Sequence, residues 1–401
     1  MGIIEKQATR NVIISYLGAG LGTITTLLLL PHLLTTSENG LLGILVNVSA
    51  LLAQFANLGF STVTIRFFPY FRNKDQGHHG FLFYALTVSF IGFLLCYIAF
   101  LILKPYIISS NIEKSKLLVD YLFYLMPLTF FTLFFTVFDT YLRATYNSVV
   151  GAISKELFQR MAILALLAAY GFNWISFGVF IFGYVIACSA PTLILAAYII
   201  KQDEWHIKPV RGFMSKELRN EIVRLSIYSI FSGVTGAIVL NIDTIMVNQM
   251  LGLSETGVYR IAFFFGTIIL IPARSIYRIT SSIVAEAFKK DNIEEIRSLY
   301  VKSCNTQLTI GLLLFIGIWI NLDNIMNILP AEYASGKLVI LYISAGYLIE
   351  MATGINQVII GNSKFYRFDA FFVLTLVVVI IICNYLLIPT YGITGSAIAT
   401  A

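Results

Sequence analysis

Residues 37–44 read SENGLLGI and residues 254–261 read SETGVYRI, the same polar punctuation set 217 positions apart. Ser, Asn and Gly favour tight connections, Gly because it takes backbone angles that strain other residues. The surroundings of each copy give the repetition its meaning. The chain has 401 residues, 58% hydrophobic and 12% charged, against about a quarter charged in a soluble globular protein. Both motifs are flanked by apolar runs of about 20 residues, the length that spans a hydrocarbon core of roughly 30 Å. Extending this pattern outward predicts spans near 11–31, 41–60, 80–103, 117–139, 151–171, 176–200, 222–250, 257–283, 303–320, 338–360 and 369–388, with a twelfth starting near Tyr391.

SENG then falls in the turn between spans one and two, and SETG in the turn between spans seven and eight. A second landmark, YFRNKD at 70–75, recurs as AFKKD at 287–291 at about the same offset. Two landmarks in equivalent loops predict a duplicated six-span unit. Because six is even, both copies enter the bilayer in the same sense, a parallel repeat about an axis along the membrane normal. The expectation is an all-α membrane protein of two parallel six-helix bundles related by a pseudo-twofold, V-shaped around a central cavity. Residues 1–200 form the amino-terminal bundle, 201–221 a cytoplasmic connector, and 222–401 the carboxyl-terminal bundle. The connector is expected to carry a surface helix with Trp205 and Phe213 at the membrane interface. The closing stretch YGITGSAIATA stops about half a span after the turn at 389–392, so the expectation is a chain cut short in span twelve.

Charge placement supplies the orientation. With the amino terminus in the cytoplasm, 20 of the 27 Lys and Arg residues fall on the inner side, and only Lys104, Lys114, Lys116 and Lys337 fall outside. This is the positive-inside pattern, and it accounts for the net charge of +6 without nucleic acid as a partner. No small-residue cleavage site follows the first apolar run, which reads as a span and not a cleaved signal. Cys96, Cys188, Cys304 and Cys383 stand singly in apolar segments and read as core. The four histidines lack metal-ligand spacing, and the pair His78 and His79 reads as a solvated loop. No GxxxxGK[ST], GxSxG or HExxH occurs, so neither a P-loop nor these hydrolase motifs supply chemistry; no cofactor and no metal are expected.

The remaining basic residues lie within the apolar runs. Arg260, Arg274 and Arg278 share span eight, and the 18 residues from first to last make about five turns, which puts all three near one face. A charge at the centre of a spanning helix costs about 2.5–3.5 kcal/mol on insertion scales, so it faces a cavity or a partner. Arginine's planar fork suits a diphosphate; snorkelling to the surface is the competing reading. Pro272 is expected to kink the same helix beside Arg274, as a hinge or as an inert bend. Asp243 in span seven either pairs with Arg260 or Arg274 or takes a coupling proton or sodium ion. Glu350 and Asp139 are further candidates, Asp139 being expected to pair with Arg143 at i, i+4. Arg10, Arg66 and Arg72 either ring the expected cytoplasmic mouth and attract a phosphorylated lipid or simply follow the positive-inside bias. At the 217-residue offset Asp243, Arg260 and Arg274 correspond to Thr26, Gly43 and Asn57, so the ionic work is assigned to the second half.

FANLGFSTVTIRFF at 55–68, NIDTIMVNQMLGLSETGVYRIA at 241–262 and YGITGSAIAT at 391–400 resemble the polysaccharide exporter family of O-antigen-type lipid-linked oligosaccharide flippases. That family sits in the superfamily of lipid II flippases and multidrug extruders. The resemblance covers the whole chain, and Asp243 falls on the family's aspartate in NIDTIMV. It implies movement of an undecaprenyl-pyrophosphate-linked sugar unit across a bacterial inner membrane, with the bilayer and polysaccharide polymerase machinery as partners. A cation-coupled multidrug extruder is the rival within the superfamily. A membrane polysaccharide polymerase or ligase is a rival from another class, disfavoured because the longest outside segment is only about a dozen residues.

Overall fold

A computed structural model describes residues 3–210, 213–363 and 366–401, and the described secondary structure is helical throughout. The main helices are α1 (Ile3–Thr23), α2 (Thr36–Ala56), α3 (Phe60–Phe71), α4 (Phe81–Asn111), α5 (Leu125–Ala144), α6 (Gln159–Gly171), α7 (Phe177–Lys201), α8 (Lys216–Leu251), α9 (Leu253–Thr267), α10 (Ile271–Lys289), α11 (Ile293–Ile320), α12 (Lys337–Ala352), α13 (Tyr366–Tyr391) and α14 (Ile393–Thr400). Among the described residues, ten helices are long and apolar enough to cross a membrane. The expected span at 151–171 is not one of the ten. It is helical from Ser148 to Gly171, but Lys155, Glu156 and Arg160 crowd its first half and Ile153–Phe158 is a π turn.

The chain divides into two compact units, Met1–Leu33 with Ile44–Asn241, and Leu34–Gly43 with Ile242–Ala401. The charged stretch at 201–221 lies inside the first unit, and the division falls within α8. Contacts and sequence duplication therefore partition the chain at different places.

The first unit is built on aromatic packing. Phe68 meets Phe81 and Tyr141 edge-on at 5.4 and 5.3 Å, the offset geometry that aromatic quadrupoles prefer. Residues 202–210 and 213–215 are not helical, so the expected surface helix is absent from these described residues. Trp205 packs on Phe138 and Phe213 on Phe71, so these two side chains extend the core. His78 and His79 are likewise buried, at 4% and 9% exposure, which corrects the reading of a solvated loop. Gly77, His78, His79 and Gly80 all take positive φ, between 49° and 71°. For a non-glycine residue this region costs about 1–2 kcal/mol and persists only where the surroundings enforce it. The Asn73 amide donates to His78 Nδ1 at 3.2 Å, so the ring proton sits on Nε2 and is donated to Glu204 Oε2 at 2.7 Å. His79 stacks flat on Phe213, with centroids 3.7 Å apart.

In the second unit the duplicated motifs meet each other. Gly40 of α2 lies against the Leu253 carbonyl of α9, and Gly257 lies against the Thr36 carbonyl. The two contacts are the same contact read twice, because 40 and 257, like 36 and 253, differ by 217. The stem of Arg260 likewise passes over Gly43, its own counterpart. Such reciprocity is what a local twofold imposes on an isologous contact. The first turns of α2 and α9 approach closely because glycine leaves no side chain at the crossing. The two later landmark loops also match, since Asn73 accepts from the Gln76 amide and Asn292 from the Glu295 amide, an Asn cap in each copy.

Candidate functional site

Asp243 is 5% exposed and sits where α8, α9, α13 and α14 converge. Asn384 Nδ2 donates to its Oδ1 at 2.7 Å, while Tyr259 Oη and Thr400 Oγ1 donate to its Oδ2 at 3.3 and 2.5 Å. Neither Arg260 nor Arg274 pairs with it, and among the described residues no cation lies within salt-bridge distance. Asn384 Oδ1 is buried and unpartnered. Three donors thus satisfy both carboxylate oxygens, with no counter-charge among the described residues. The surrounding oxygens of Asn384, Tyr259 and Thr400 are the donor type that hard cations take.

Thr400 also lines a cavity of about 260 Å³ within the second unit, together with Tyr347 and Glu350. Glu350 is exposed and within electrostatic reach of Arg274. Arg274 itself is exposed, with no ion-paired or hydrogen-bonded partner among the described residues. The side chain of Arg278 lies outside the described residues.

Arg260 has a different setting. Its Nη1 donates to Asn39 Oδ1 at 2.7 Å and to the Asn39 carbonyl at 3.1 Å; Asn39 Nδ2 in turn donates to Tyr333 Oη. Thr36 and Ser254 hydroxyls meet at 2.8 Å beside it. The single basic stripe expected of span eight is interrupted, because Ile268–Leu270 forms a 3-10 turn between α9 and α10. Three residues at 120° in place of 100° rotate Arg274 by about 60° relative to Arg260. The expected kink at Pro272 takes this form: the proline occupies the first turn of α10, where its missing N–H leaves no intrahelical bond unmade.

In the first unit Arg143 Nε lies 3.1 Å from Asp139 Oδ2 at the expected i, i+4 spacing. Arg66 is exposed, with its guanidinium 6.0 Å from the Phe67 ring centroid, and Arg10 is exposed at the start of the chain. At the end of α10, the Lys290 ammonium 2.6 Å from Glu286 holds that carboxyl below its ordinary range. Among the described residues no group of three or more metal-binding side chains occurs.

Three features escaped the sequence reading. Glu156 and Arg160 form an ion pair at 2.7 Å against α1, where Gly18 and Gly22 leave room for them. The matching i, i+4 spacing of both pairs was the available signal. Asn384 was signalled only as a polar residue in a long apolar helix, and Thr400 only as part of the YGITGSAIAT motif.

The profile of the polysaccharide biosynthesis protein family matches residues 6–280. No curated protein sequence matches. Among solved structures, lipid II flippase MurJ in an inward closed conformation has a TM-score of 0.75 at 12% identity, covering 98% of this chain and 84% of its own. An inward-facing multidrug resistance MATE family transporter of the MOP superfamily has a TM-score of 0.69 at 16% identity, covering 96% and 90%. A MOP superfamily transporter from Pyrococcus furiosus, described as having a binding pocket of reverse polarity, has a TM-score of 0.62 at 14% identity, covering 98% and 92%. At such identities the likeness is one of fold alone, an all-helical chain with many candidate membrane spans.

Proposed function

The chain belongs to the polysaccharide biosynthesis protein family, and from that premise we propose that it flips an undecaprenyl-pyrophosphate-linked oligosaccharide across the bacterial inner membrane by alternating access, with its amino terminus in the cytoplasm. The sugar unit is an O-antigen, capsule or exopolysaccharide repeat, handed on to polysaccharide polymerase machinery.

Arg274 carries this reading. An exposed guanidinium with no ion-paired or hydrogen-bonded partner among the described residues, on a helix of so apolar a chain, is stabilised by water or by an anionic ligand. Its fork matches two oxygens of a diphosphate and keeps its charge at any working pH. Arg278, one turn on, joins it in this role. Glu350 moderates the positive field while the site is empty. Arg260 serves the site indirectly, by clasping Asn39, and Arg10 and Arg66 draw the phosphorylated lipid to the cytoplasmic mouth. The 3-10 turn before Pro272 is the hinge. Asp243 is the coupling site, taking a proton or a sodium ion, and Asp139 with Arg143 is a structural charge pair.

Replacing Arg274 and Arg278 with Ala is expected to abolish glycan export in a complementation assay at unchanged protein level; unimpaired export overturns the assignment. One observation favours a second reading, extrusion of cationic drugs: Glu350 is an exposed carboxylate on an apolar helix. Dye binding lost in E350Q and intact in the arginine double variant would select it.

A further inference from the structure

A groove of about 450 Å³ runs along the first unit between α4 and the segment leading into α5. One wall is Phe93, Tyr97 and Leu101, spaced so that they share a face of α4. The other is Phe123, Met126 and Phe130, and the Phe93 and Phe130 rings close one end edge-to-face at 5.2 Å. At the opposite end stands Lys104, exposed and without a partner among the described residues. From Phe93 to Lys104 the helix rises about 16 Å, half of a hydrocarbon core of roughly 30 Å. The groove is thus one leaflet long, apolar along its length, and cationic only at its headgroup end.

From this match we infer that the groove holds one acyl chain of an anionic phospholipid, with Lys104 on the lipid phosphate. Charge complementarity names the occupant. Lys104 is one of four basic residues on the side that positive-inside topology leaves poor in cations, and another of the four, Lys337, is already paired with Asp323. An ammonium on a long apolar stem reaches a phosphate at the interface without leaving the groove wall. The volume suits a single acyl chain, and the one-leaflet length suits a phospholipid better than a polyprenyl tail longer than the leaflet. The inference rests on the proposed orientation for the leaflet the lipid occupies and for the scarcity of other cations on that side.

Native mass spectrometry of the purified chain, titrated with phosphatidylglycerol or phosphatidylcholine, tests it without any transport readout. One lysine near an anionic surface corresponds to about a fivefold change in affinity. Lys104→Gln is therefore expected to weaken phosphatidylglycerol about fivefold, and phosphatidylcholine less, because that lipid's own ammonium partly offsets the same phosphate. Leu101→Trp, which fills the groove, should weaken both. Equal phosphatidylglycerol binding by wild type and K104Q overturns the inference, as does binding untouched by L101W. Undecaprenyl pyrophosphate displacing phosphatidylglycerol in a Lys104-dependent manner also overturns it, assigning the groove to the transported lipid. Loss of the flippase reading alone would appear as unimpaired export in the Arg274 and Arg278 variant, with lipid binding unaffected.

Discussion

Replacing Gly40 with Ala puts a methyl where the α2–α9 crossing leaves no room. A Cβ at Gly40 would stand 2.0 Å from the Leu253 carbonyl oxygen, and one at Gly257 would stand 1.9 Å from that of Thr36, against ordinary contact at 3.4–4 Å. Both carbonyls belong to first helical turns and cannot swing aside, so the helices must part by more than an ångström. Overpacking of this kind costs about 1–3 kcal/mol. Separation also stretches the Thr36–Ser254 and Arg260–Asn39 hydrogen bonds, at about 1 kcal/mol each. Against this, Ala gains up to about 1 kcal/mol over Gly in helix propensity. The expected net loss is about 2–4 kcal/mol for either G40A or G257A.

The double variant separates this account from a general one. A single displacement relieves both clashes, so G40A/G257A should cost about as much as one substitution, leaving a coupling of about 2–4 kcal/mol. Thermal unfolding of the four proteins in one detergent measures the cycle. A double variant whose destabilisation equals the sum of the singles within about 0.5 kcal/mol refutes the shared crossing.

Asp243→Asn keeps the side chain's shape and removes its charge; protein level should hold while transport in proteoliposomes loses its response to an imposed ion gradient, and a preserved response would exclude Asp243 from coupling. Glu204→Ala leaves the buried His78 Nε2–H without its acceptor, at about 1–3 kcal/mol. The left-handed turn at 77–80 should then relax, read as new protease cleavage between 72 and 80; resistance equal to wild type counts against the pairing as its support. Arg160→Ala strands Glu156 against α1, so it should lower thermal stability more than the joint E156A/R160A change does; the reverse order would show that the pair contributes nothing as a pair.

The sequence by itself determined the class of molecule and its internal repetition. Hydrophobic runs long enough to cross a bilayer survive any detail of packing, because their solvent dictates composition along their whole length. The echo of SENG in SETG was equally legible, since duplication leaves its trace in residue order. The Asp139–Arg143 pair was readable for a related reason, as i, i+4 neighbours meet on any helix. The tertiary structure decided why the echo is there: Gly40 and Gly257 touch, and Arg260 has Gly43 as its mate because symmetry-related positions face each other and two arginines would collide. It also decided the partners of Asp243. Tyr259, Asn384 and Thr400 come from 16 to 157 residues away along the chain, and no spacing rule joins them. Burial of His78 and His79 was hidden likewise, since polar residues in a loop read as solvated until Glu204 and Phe213 arrive from a distant segment. Local periodicity fixes which face a helix buries; which polar groups meet across that face depends on helices brought together only when the whole chain has packed.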